Sequence, residues 1–151
     1  MKKTFVMRGQ TASGLTEVLE FGGKQKETKG MAYRMTEFTI YPSATHIYAE
    51  LSATVTANKT AEDPSNPNYD NDGLIATAML SQRTDSQQQG PTMHVVVNDT
   101  YLITQNLILK VIDTYTGSPM AVNWQCRFEA VKMSNAEEAA TNFKQYSIFD
   151  E

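Results

Sequence analysis

Through two long stretches of this chain, apolar side chains fall on every second position. That period of two is the requirement of a strand with one buried face. In "THIYAELSATVTA" (45–57), Ile47, Ala49, Leu51, Ala53, Val55 and Ala57 point one way, and His46, Tyr48, Glu50, Ser52, Thr54 and Thr56 the other. In "PMAVNWQCRFEAVKM" (119–133), Met120, Val122, Trp124, Cys126, Phe128 and Ala130 fall on the inner face, with Asn123, Gln125, Arg127 and Glu129 outside. A helix cannot keep such a pattern on one side.

Shorter segments near 3–8, 14–21, 31–41, 74–81, 92–97 and 101–115 read as further strands, the last kinked around Thr104 to Asn106. Within 31–41 the apolar phase changes sides between Met35 and Phe38, which predicts a β-bulge. Gly22-Gly23, Gly30, Pro42, Gly73, "QQQGP" (87–91), "VND" (97–99) and "TGSP" (116–119) supply turns, and Gly117 is placed to close a hairpin. In "SNAEEAATNF", Ser134 and Glu137 have capping-box spacing, and Ala136, Ala140 and Phe143 form a modest apolar stripe. A short C-terminal helix is therefore expected, followed by a tail carrying Ile148 and Phe149.

About eight strands at short intervals, without helices between them, exclude a parallel α/β sheet and indicate an all-β, antiparallel sandwich. Long and variable connections favour a jelly-roll-like arrangement over an up-and-down barrel. The expected organisation is a β-sandwich over 1–133, with the helix and tail at 134–151 packed on the same domain.

Composition narrows the function classes. With 40% apolar residues, 20% charged and a net charge of −4, the chain has neither the signature of disorder nor an overall positive field for nucleic acid. Lys24, Lys26 and Lys29 are interrupted by Glu27 and read as a solvated turn. No apolar run reaches the length of a membrane span. The opening "MKKTFVMRGQ" has the lysines of a signal peptide without its apolar stretch, so synthesis without secretion is expected. One cysteine excludes an internal disulfide framework, and with only two histidines no structural zinc site is expected.

No catalytic, cofactor-binding or metal-binding residue is assigned. His46 and His94 lie outside any nucleophile motif, and Cys126 follows Trp124 on the core face, where a free thiol is normally packing. "FGGKQ" lacks P-loop spacing. The chain is expected not to be an enzyme.

Residues 61–73 keep three readings open. Asn68, Asp70 and Asp72 before Gly73 imitate the first half of a calcium loop, but Met79 stands where the bidentate Glu is required. An irregular site on Asp63, Asp70 and Asp72 is one reading. A long connection stiffened by Pro64 and Pro67 is the second. The third is a contact loop held by a rigid scaffold. Tyr33, Tyr41, Tyr48, Tyr101 and Tyr115 would make a sugar-stacking platform if several of them shared one outer face.

The segments "MAYRMTEFTIYPS", "DPSNPNYDNDGLIATAML" and "LITQNLILKVIDTYTGSPMAVNWQCRFEAVKMS", taken together, resemble single-jelly-roll vertex or minor capsid proteins of bacteriophages. The likeness is one of general character over most of the chain, and no family site residues carry over. It implies a non-enzymatic virion component that forms homo-oligomers and contacts a larger coat protein. The alternative is a ligand-binding β-sandwich, for carbohydrate or a receptor surface, using the 61–73 loop and exposed tyrosines.

Overall fold

A computed structural model describes residues 3–21, 31–82, 92–115 and 119–132. The expected helix at 134–143, the tail, the basic turn at 24–29 and the turns at 22–23, 30, 87–91 and 116–118 lie outside the described residues. The described residues form eight strands: β1 (Thr4–Thr11), β2 (Thr16–Leu19), β3 (Met31–Pro42), β4 (Ala49–Thr56), β5 (Leu74–Gln82), β6 (Thr92–Val97), β7 (Leu107–Asp113) and β8 (Val122–Lys132). They form two sheets, one ordered β1-β8-β3 and the other β2-β7-β4-β5-β6. All pairings between these strands are antiparallel.

The order is nested. β1 pairs with β8, β2 with β7 and β4 with β5, as in a long ribbon folded back on itself. Rolling that ribbon sets β3 beside β8 and β4 beside β7. In a fully nested ribbon β6 would pair with β3; here it pairs with β5, while β3 packs close to both β5 and β6. The chain then crosses between sheets at Ile103, which exchanges backbone hydrogen bonds with Tyr33 at 2.6 and 2.9 Å. The expected strand 101–115 is therefore only β7, and its kink is this crossing. Asn106 helps end the neighbouring strand by accepting the Phe21 amide at 2.8 Å.

Between the sheets lies one core. Ala49, Leu51, Ala53 and Val55 of β4 are buried, as the alternation requires, and so are Val122, Trp124, Cys126 and Phe128 of β8. Volume is divided unevenly. Phe5, Tyr33, Phe38, Trp124 and Phe128 come from the three-stranded sheet, whereas β4 and β5 intersperse Ala49, Ala53, Ala76 and Ala78 among Leu51, Val55, Ile75 and Leu80. Large side chains from one face meeting small ones from the other is how two sheets reach interior packing density. Phe5, Phe21, Tyr33 and Phe128 contact one another ring to ring, with centroids 5.0–6.2 Å apart.

The bulge falls where the sequence places it. Met35 faces Phe128 and Glu37 faces Arg127, leaving Thr36 as the extra residue. Its effect is to return both Met35 and Phe38 to the core.

Three departures from simple alternation have identifiable causes. β4 starts at Ala49 and not at 45, because the Gln82 side-chain amide donates to the carbonyls of Ala44 and Ile47. His46 is thus an exposed loop residue. Thr54 and Thr56, expected outside, are fully buried under the 61–73 loop. Glu129, also expected outside, is buried beside its cross-strand neighbour Arg34, whose guanidinium lies 3.2 Å from the carboxylate.

Cys126 is buried in the core, and burial pushes its thiol up to about 12 from an ordinary 9.0. Thiolate is the reactive form, so a thiol reagent should label Cys126 only on unfolding. Stopped-flow labelling alongside an unfolding probe would check this. The unfolded chain releases this proton near pH 9 and the folded chain near 12, so the unfolded state holds fewer protons in that window. Stability should fall as pH rises through it. Tyr101, raised from 10.0 to about 12 by burial and by the nearby Asp72 charge, acts in the same direction.

Candidate functional site

The Asp-rich stretch folds back over the outer face of the five-stranded sheet. Glu62 organises it. Its backbone oxygen accepts the Thr54 hydroxyl at 2.7 Å, and its amide donates to the Thr56 hydroxyl at 3.1 Å. Its carboxylate accepts the Asn68 amide at 3.0 Å and the Asn71 side-chain amide. The loop therefore uses the two threonines that alternation had assigned to solvent. Farther along, the Tyr69 and Thr77 hydroxyls lie 2.8 Å apart, tying the loop to β5.

Short side-chain oxygens are spent on local turns. Asp63 accepts both the hydroxyl and the amide of Ser65, and these bonds hold its carboxyl below the usual carboxylate range. Asn68 accepts the Asp70 amide, and Asn71 accepts those of Gly73 and the Asn58 side chain. Among the described residues no three His, Cys, Asp or Glu side chains are gathered as a metal cluster would need, Asp63, Asp70 and Asp72 included. Gly73 is required for a reason other than a calcium-loop turn. A Cβ there would collide with the Asn58 side-chain amide, which would have to move from its bond to Asn71.

Where the loop ends, a groove begins. A cavity of about 220 Å³ runs between Pro64, Ser65, Pro67 and Tyr69 of the loop and Ser52, Thr77, Met79, His94 and Val96 of the sheet. Strand register explains the sheet side. Ser52 faces Met79, Met79 faces His94, and Thr77 faces Val96, so three strands present one continuous outer row. Met79 and Val96 are about half exposed, and Tyr69 more so. No residue lining the groove is a formal charge when His94 is neutral, on a chain whose net charge is −4. Such a surface suits an uncharged partner with apolar groups.

The other candidates are dispersed. Tyr33 and Tyr101 are buried, Tyr41 is exposed on β3, and only Tyr48 and Tyr115 meet, with centroids 5.5 Å apart. Tyr33 and Tyr101 are withdrawn from any outer platform by burial, which leaves the Tyr48–Tyr115 pair as the tyrosines that lie together. His94 is in the groove, whereas Cys126 lies in the other sheet's core, so the topology does not bring them together as a nucleophile and base. Sequence reasoning marked the loop but missed Met79 and Val96. An apolar residue on the outer phase of a strand was the available signal.

No family model and no curated protein matches the chain. Among solved structures, a chain of desmodium yellow mottle tymovirus is similar to it at a TM-score of 0.36 and 13% identity, over 88% of this chain and 82% of that one.

Proposed function

We propose that this chain is a non-enzymatic structural component of a virus particle, specifically a phage. It is read as a jelly-roll building block that associates with its own copies and with a larger coat protein. The observation that carries the reading is the strand order. The pairs β1–β8, β2–β7 and β4–β5, closed by β8–β3 and β7–β4, are those of a rolled ribbon, with β6 alone transferred to the neighbouring sheet. Among the described residues the two sheets end on edges without a strand partner, and repeated edges and loops are what symmetric assembly uses. A fold does not dictate a role by itself, so the reading stands on self-association. Static light scattering on the purified chain should give one defined mass above that of a monomer.

The groove supports a second reading, a module that binds a neutral ligand between the 61–73 loop and β6. A chain that stays monomeric at every concentration and binds selected sugars on a glycan array would favour this reading and sink the first.

A further inference from the structure

We propose that β6 is the self-association edge, pairing antiparallel with β6 of a second copy across a two-fold axis at Val95. This rests on the self-associating reading above and assigns the surface that performs it. Among the described residues the sheets end on β1, β3, β2 and β6. β1 carries Arg8, β2 carries Glu17, and β3 carries Arg34 and Glu37. Charges of this kind are the usual protection of an open edge. β6, "TMHVVV", has none, and Thr92 to Val96 are all exposed.

A two-fold partner is the occupant that this pattern fits. In a pair of identical antiparallel strands, the residue at the axis meets itself and its neighbours meet one another. A charge on the axis is therefore set against its own like charge from the second copy. Of the four edges, β6 is the one on which no placement of the axis meets that conflict.

Backbone geometry sets the register. The Asn98 amide donates to the Ile75 carbonyl at 2.8 Å, one step beyond the Val97–Ala76 pair. Because N–H and C=O groups alternate sides along a strand, His94 and Val96 direct theirs toward β5. Met93, Val95 and Val97 direct theirs to the open edge. A two-fold axis at Val95 then sets Val95 against its own copy, Met93 against Val97, and His94 against Val96. Val95, Met93 and Val97 meet apolar partners on the inner face, and on the outer face His94 meets Val96 and avoids its symmetry mate. The pairing consumes the edge, so it stops at two chains. Each two-fold unit would join two five-stranded sheets, leaving other surfaces for the remaining contacts of a shell.

The test compares wild type, Val95→Lys and Val95→Cys. Light scattering should show that Val95→Lys, with the β-type circular dichroism of the wild type, loses the two-fold step and falls about twofold or more in mass. Mild oxidation of Val95→Cys should give a disulfide-linked pair on a non-reducing gel. Wild type, whose only thiol is buried, should remain unlinked. The cross-link decides the matter if the lysine variant does not fold. If Val95→Lys keeps the full wild-type mass and Val95→Cys does not cross-link, the β6 assignment is overturned while self-association stands. If wild type is itself monomeric and Val95→Cys stays unlinked, both readings fall.

Discussion

Replacing Trp124 with Ala is expected to lower stability by about 3–5 kcal/mol, the range for deleting a buried aromatic side chain. For a chain of this size that corresponds to a melting temperature lower by on the order of 10 °C. Trp124 stands on the central strand of the three-stranded sheet, and only 8% of it is exposed. Its indole N–H donates to the Thr11 hydroxyl at 3.0 Å in a buried bond. Its ring lies against Gly9, its cross-strand partner, so closely that a Cβ on Gly9 would come within 2.9 Å. Truncation therefore opens a cavity and also leaves Thr11 without its donor. Trp124→Phe fills most of the space and should cost distinctly less. Denaturant melts at constant slope would measure both. A near-neutral Trp124→Ala would mean that the inner face of β8 has been misassigned.

Asp113→Ala should cost about 3–4 kcal/mol, although no apolar contact is at stake. Each unpaired buried amide costs roughly 1–3 kcal/mol, and three amides depend on this carboxylate, that of Met120 in a buried bond and those of Glu50 and Tyr115 in partly buried ones. One oxygen accepts the amides of Glu50 and Tyr115 at 3.1 and 3.0 Å, and the other accepts that of Met120 at 3.0 Å. These bonds tie the end of β7 to the start of β4 and to the approach to β8. The Asp113 amide in turn donates to the Ser13 hydroxyl at 2.8 Å. Asp113→Asn retains one acceptor oxygen and should fall between wild type and Ala. Equal losses for Asn and Ala would show that one acceptor oxygen is not enough to hold the junction.

Asp113 was not legible beforehand. In sequence it is one more acidic residue at a strand end; Tyr115 and Met120 follow it closely, but Glu50, 63 residues away, is brought to it only by the pairing of β4 with β7. The same holds for Glu62, whose importance depends on Thr54 and Thr56 lying beneath it. By contrast, the inner faces of β4 and β8 and the bulge between Met35 and Phe38 were readable, because each follows from side chains a few residues apart. The groove falls between these cases. Its loop was marked by Pro, Asn and Asp, but its sheet side exists only where Ser52, Met79 and His94 come into line across three strands.

Period-two patterning by itself determined that this chain is antiparallel β, which side chains are inward on its long strands, and where one strand slips phase. Those properties are local, since alternation is built into an extended backbone. Which strands became neighbours, which outward residues the Asp-rich loop covered, and which edge was left without charge were decided only in three dimensions. Pairing joins residues distant in sequence, and the energy of a buried polar group depends on the partner that folding brings to it.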